Sequence, residues 1–175
     1  MGKPHIEAYK KFCDKFYSLT DKANKDQYVV PYLMSSHPGS TLKDAVELAL
    51  FCKREGIHPK QVQDFYPTPG TISTAMFYTG LDPDTLKEVY VPKSESEKAM
   101  QRALLQYFIP ENKPIVIKAL IKAGRRDLIG NDKKCLVTPL AGQTAGGYRK
   151  DNTKNNGKKK NGKDKYAKYR RKNKK

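Results

Sequence analysis

No stretch of this 175-residue chain approaches the run of about eighteen apolar residues that a membrane-spanning helix needs, and no apolar segment follows the N-terminus as in a secretory signal. The expectation is a soluble, cytoplasmic protein with no membrane partner. Cysteine is scarce. Cys13, Cys52 and Cys135 are odd in number and far apart, which gives neither a disulfide framework nor a CxxC metal site. Cys13 and Cys52 fall among helical apolar positions and read as core residues, while Cys135 opens a short apolar "CLV" and reads as half-buried. The chain contains no GxxxxGK[ST] phosphate loop, no HExxH and no GxSxG. His37 has no carboxylate or cysteine at ligand spacing and reads as a solvated loop histidine, and His5 and His58 carry still less. Residue chemistry alone therefore assigns no catalytic group and no metal ligand.

Acidic residues are also few, 18 against 35 Lys and Arg, for a formal net charge of +17. The surplus is concentrated. From Arg149 onward, "RKDNTKNNGKKKNGKDKYAKYRRKNKK" carries fourteen Lys or Arg against Asp151 and Asp164, leaving the body only mildly basic. Apart from Ala167, Tyr166 and Tyr169 this tail has almost nothing apolar to bury, so it is expected to be disordered when unbound. Lys158, Lys159, Lys160, Arg170 and Arg171 can neutralise phosphates, and Tyr166 and Tyr169 can stack on bases. RNA or DNA is thus a candidate partner of the tail, and a non-enzymatic nucleic-acid-binding module is one reading of the chain.

The remainder, within a composition of 37% hydrophobic and 10% aromatic residues, suits one modest domain. "PHIEAYKKFCDKFYSL" places Ile6, Tyr9, Cys13 and Phe16 at helical spacing, with Phe12 and Leu19 widening the stripe, and predicts a helix with one buried face. "YVVPYLM" predicts a buried strand, against which Pro31 argues. "LKDAVELALFCKREG" predicts a helix that Thr41 and Asp44 open as a capping box and Gly56 closes. "KQVQDFY" predicts a second strand, and the strand, helix and strand together form a βαβ unit with parallel pairing. After an irregular loop, "SESEKAMQRALLQYF" and "NKPIVIKALIKAG" predict two helices, the first with a Ser94–Glu97 capping box, the second with Pro114 in its first turn and Gly124 past its end.

Both predicted strands run into Pro-Gly-Thr-like loops, "SSHPGST" and "PTPGT". In parallel α/β folds ligands gather beyond the C-terminal strand ends, where such loops meet helix N-termini. Gly39 and Gly70 can let backbone approach a ligand, Ser35, Ser36 and Ser40 add hydroxyls, and the amides opening the helix at Leu42 can receive a polar group. Taken singly, each loop reads better as a plain turn.

Taken together the residues carry more. "QYVVPYLMSSHPGSTLKDAVELA", "QVQDFYPTPGTISTAMFYTGLDP", "VYVPKS", "EKAMQRALLQY" and "AGRRDLIG" with "KKC" closely resemble the C-terminal part of the YgiQ-type radical S-adenosylmethionine proteins. The resemblance runs from the first helix to Cys135. It implies an α/β fold that is the C-terminal fragment of a partial barrel with parallel strands, followed by a small helical extension and the basic tail. The implied division is residues 1–92 for the end of the barrel, 93–148 for the extension and 149–175 for the tail. A 4Fe–4S cluster and S-adenosylmethionine are implied for the full-length parent, with the rest of its barrel as partner. The CxxxCxxC that holds such a cluster is absent here, so this chain alone is expected to bind neither and to be inactive. By the same resemblance Ser35, Ser36, His37 and Gly39 of the first loop and Pro69, Gly70 and Thr71 of the second lie at the cofactor's adenosine. Ser36, His37 and Ser40 replace the Gly, apolar residue and Glu of the family's first loop, so no contact through that Glu carries over.

Overall fold

The computed structural model describes residues 4–142. The basic tail expected from residue 149 lies outside the described residues. In chain order the elements are α1 (Ile6–Lys22), β1 (Met34–Ser35), α2 (Leu42–Arg54), β2 (Gln63–Asp64), α3 (Ile72–Thr79), α4 (Glu95–Leu105) and α5 (Lys113–Lys122). Short 3-10 turns follow at Pro110–Asn112 and Arg126–Leu128.

The core is helical, and α4 is its centre. Met100, Ala103 and Leu104 of α4 face Leu42, Ala45, Val46 and Ala49 of α2 on one side and Val116, Ile117, Ala119 and Leu120 of α5 on the other. Leu128, Ile129, Leu136 and Val137 close the far end. These positions recur three and four apart, which is why each helix buries one stripe and leaves its lysines outside. The same α4 also touches both strands, so one core spans residue 92, where the sequence divides barrel end from extension.

Helix ends follow local chemistry. Thr41 and Asp44 form the expected reciprocal capping box on α2. Gly124, at φ +72, follows α5, and Pro114 sits in its first turn. At α4 the expected box does not form: Ser94 makes no side-chain cap bond, and the Glu97 carboxylate, which would take the Ser94 amide, is buried and accepts from Tyr90. The stretch read as an irregular loop contains α3, capped by Thr71 at its start and by Gly80 at φ +71 at its end.

β1 and β2 pair in parallel, Met34 opposite Gln63 and Ser35 opposite Asp64, with α2 as the crossover. Among the described residues this two-stranded sheet is all the strand structure beyond isolated bridges, so the structure is mixed and mainly helical with one small parallel sheet. Residues 28–33 are not the buried strand that their β-branched and aromatic run predicts. Val30 and Tyr32 are 85% and 72% exposed, and Pro31 lacks the donor that a ladder would need. A continuous apolar run marks a strand covered on both faces, and here only one face is partly covered, Val29, Pro31 and Leu33 being half-buried.

Helix α1 departs most from expectation. Cys13 and Thr20 are its buried residues, while Ile6, Phe12 and Leu19 of the predicted stripe are 44%, 55% and 53% exposed. Lys10 pairs with Glu55 at 3.7 Å and the Tyr17 hydroxyl accepts from the Val29 amide at 3.3 Å. Cys13 and Cys52 are buried as expected, and Cys135, at 4% exposure, is buried rather than half-buried.

Candidate functional site

Parallel pairing puts the ends of both strands on the same side, and the two Pro-Gly loops leave from there. The Phe65 amide bonds the Ser35 carbonyl at 2.8 Å, extending the pairing to the loop bases. His37 then joins the loops. Its Nε2 lies 2.9 Å from the Ser73 hydroxyl at the start of α3, and its Nδ1 lies 2.7 Å from the Pro38 carbonyl. A carbonyl only accepts, so Nδ1 carries the proton and Nε2 accepts from Ser73. The imidazole edge also meets the Phe65 ring, centroids 5.0 Å apart. His37 is therefore a half-buried bridge between the loops, not a solvated loop histidine.

The other expected site residues divide by exposure. Gly39, Pro69, Gly70 and Thr71 are exposed on the loop crests. Gly39 and Gly70 have φ of +86 and +76; a Cβ would find only Val89 Cγ1 at 3.9 Å at the first and nothing within 4 Å at the second. The glycines serve backbone conformation first and clearance second. Thr71 is occupied as the N-cap of α3, accepting from the Thr74 amide at 3.2 Å. At α2 the capping box places the Asp44 carboxylate 2.9 Å from the Thr41 amide, so that helix start is already served by an anion of its own.

Beneath the crest lies a polar layer. Ser35 is buried and donates to Asp64 Oδ1 at 2.5 Å, and Asp64 also pairs with Arg102 of α4. Ser36 is 2% exposed at φ +61, and its hydroxyl has no partner among the described residues. Gln101 of α4 accepts from the Ser36 amide at 3.0 Å and from the Ser40 hydroxyl at 3.3 Å, and donates to the Ser40 carbonyl at 2.9 Å. Tyr90, whose carbonyl accepts from the Gly39 amide at 2.7 Å, donates its hydroxyl to Glu97 at 2.6 Å.

That bond to Glu97, reinforced by desolvation, pushes the Tyr90 phenol up to about 12. The fold holds the neutral phenol, so this contribution is complete below pH about 10, where a free tyrosine starts to ionise, and is lost as pH rises through 12. In spectrophotometric titration, the difference between wild type and Tyr90→Phe should show one tyrosine ionising near 12. In Glu97→Gln that ionisation should fall back towards the usual range. A normal value in the wild type would contradict the Tyr90–Glu97 hydrogen bond.

Sequence reasoning missed Asp64, Ser73, Glu97, Gln101 and Arg102. A signal was available for two of them: Glu97 and Gln101, four apart, interrupt the inward flank of α4 with polar groups, and a polar group on a buried flank needs a partner.

A cavity of about 880 Å³ lies elsewhere, lined by Tyr9, Cys13 and Tyr17 of α1 and by Val29, Pro31 and Pro59 among others. These residues precede the strands, so the cavity sits at the N-terminal end of the sheet, opposite the loops. Size alone would favour it as a ligand site. We assign the site to the loops instead, because polar groups converge there and the position follows the rule for parallel strands.

The paired loops and the α2 crossover define a parallel α/β unit with both loops at its C-terminal side, welded to a helical layer. The chain belongs to the family described as domain of unknown function DUF3362, whose model matches residues 60–175. It is 59% identical over 137 residues to a UPF0313 protein of Clostridium perfringens strain 13, covering 78% of this chain and 21% of that protein. A UPF0313 protein of Clostridium botulinum strain 657 is 58% identical over the same length and shares. The chain thus spans about a fifth of the length of the curated relatives it matches. No solved structure matches it.

Proposed function

We propose that this chain is the C-terminal part of a radical S-adenosylmethionine iron–sulfur enzyme of the YgiQ type, and that its two loops form one edge of the adenosine site. The observation that carries the reading is the His37–Ser73 bridge, which holds the two motif loops side by side beyond adjacent parallel strands. The long ordered motif resemblance supplies the enzyme class, and the greater length of the UPF0313 relatives leaves room for the remainder of a barrel. The exposed backbone at Gly39 and Gly70, together with the His37 and Ser73 side chains, is what the chain offers a nucleoside, the Gly39 amide being already given to the Tyr90 carbonyl.

The residues here do not fit the iron–sulfur cluster. No CxxxCxxC occurs, and among the described residues no three His, Cys, Asp or Glu side chains gather to hold a metal ion. The cluster is therefore assigned to the rest of the parent. A full-length UPF0313 relative, reconstituted anaerobically with iron and sulfide, is expected to show a 4Fe–4S spectrum and, once reduced, to cleave S-adenosylmethionine to 5′-deoxyadenosine. This chain treated identically should hold no stoichiometric cluster. A full-length protein that does not cleave the cofactor, or a stoichiometric cluster on this chain alone, would overturn the reading.

A second function is favoured by charge. We propose that residues 149–175, with fourteen of the 35 Lys and Arg, bind RNA or DNA without sequence preference. Counterion release makes such binding weaken steeply with salt. Truncation before Arg149 should abolish binding to a labelled single-stranded oligonucleotide. Equal binding by the truncated body, or binding indifferent to salt, would show that the tail is not the binding element.

A further inference from the structure

We propose that Gln101 is a positioning residue for the first ligand loop: α4 sets that loop's shape, and the family region beginning at residue 60 thereby completes a site whose first loop precedes it. The side chain is 1% exposed and carries one acceptor and two donor hydrogens. All are engaged. Its oxygen receives the Ser36 amide at 3.0 Å and the Ser40 hydroxyl at 3.3 Å; its nitrogen donates to the Ser40 carbonyl at 2.9 Å and meets Glu97 Oε1 at 3.5 Å. One planar group thus ties together both ends of the arc that carries His37, Pro38 and Gly39.

The loop has a reason to need tying. Ser36 stands in the left-handed region at φ +61, an unfavourable conformation for a residue with a Cβ, and the bond from its amide to Gln101 rewards that conformation. Next along α4, Arg102 pairs with Asp64, which accepts from Ser35. Adjacent residues of one helix therefore hold the ends of both strands. An apolar side chain of the same length would fill the space at position 101 and leave the Ser36 amide and Ser40 carbonyl buried without partners, so the coupling is through hydrogen bonds and not through packing. Gln101 touches the loop and not the crest, which makes its role one of positioning.

Amide hydrogen exchange on the intact chain tests this directly. The wild-type Ser36 amide should be protected although it lies in a loop. Gln101→Met, which keeps the volume, should lower that protection about tenfold while Leu104 and Leu120 keep theirs. Gln101→Glu retains an acceptor but sets a second carboxylate beside Glu97, so it should keep most of the Ser36 protection only with Glu97→Gln in the same chain, which a packing role would not predict. An unprotected Ser36 amide in the wild type, or equal protection in the Met variant, overturns the inference.

A second arm rests on the adenosine reading. In a full-length relative the Met substitution at the matching position should weaken S-adenosylmethionine binding about tenfold, with cluster absorption unchanged. Unchanged affinity there overturns the positioning role. A wild-type full-length protein with no affinity for the cofactor sinks the enzyme reading instead, and the exchange measurements still decide the role of Gln101.

Discussion

Leu104→Ala is expected to destabilise the fold by about 3 kcal/mol, within the range for truncating a fully buried leucine. Leu104 has no exposed surface and lies where α4 meets both α2 and α5, between Val46 and Ala49 on one side and Val116 and Leu120 on the other. A hole there is walled by three helices that cannot all close on it, so the loss includes both transfer and cavity contributions. Urea denaturation should show a lower midpoint at an unchanged slope. Phe12→Ala is the control. Phe12 is larger, but it is 55% exposed on α1, and its removal should move stability by no more than about 0.5 kcal/mol. A loss below about 1 kcal/mol for Leu104→Ala would mean the three-helix core is not the source of stability described above.

Two substitutions three residues apart in the first loop should act in opposite directions. Ser36→Gly should stabilise by about 1 kcal/mol: it relieves a left-handed backbone and removes a buried hydroxyl with no partner, and glycine's extra freedom in the unfolded chain offsets part of the gain. Gly39→Val should destabilise by about 2 kcal/mol. The space around Gly39 accepts a Cβ, with Val89 Cγ1 at an ordinary 3.9 Å, so this loss arises from forcing a β-branched residue to φ +86. Thermal melting of both variants checks the pair. If Ser36→Gly is destabilising, the Ser36 side chain has a stabilising partner that the structure does not show. Gly39→Val consequently makes a poor probe of ligand contact, since it alters the loop before any ligand arrives.

What was readable in the sequence is what depends on neighbours along the chain. The capping box at Thr41, the stop at Gly124 and the helices α2, α4 and α5 are local patterns, and they formed, α4 ending at Leu105 short of the Phe108 that the sequence predicts. The parallel pairing of β1 with β2 followed from the length of the crossover. Burial of residues 28–33 and of the α1 stripe was not readable, because it depends on what stands opposite, and a run of apolar residues cannot say whether its cover is present. α3 was overlooked for a different reason: its eight residues show weak amphipathicity, and its signals were the cap at Thr71 and the stop at Gly80. In the candidate site the loops were visible as repeated Pro-Gly turns. Their support was not, since Gln101 lies 65 positions from Ser36 in the chain.

The exposed face of α1 has a consequence for how the chain melts. A helix of 17 residues that buries only Cys13 and Thr20 draws little on the cooperative core, and an isolated helix of that length is marginal in water. Helicity should therefore be lost in two stages, α1 first and the α2–α4–α5 layer afterwards. A single melting temperature would average two events, and the energetic effect of a core substitution such as Leu104→Ala belongs to the second alone.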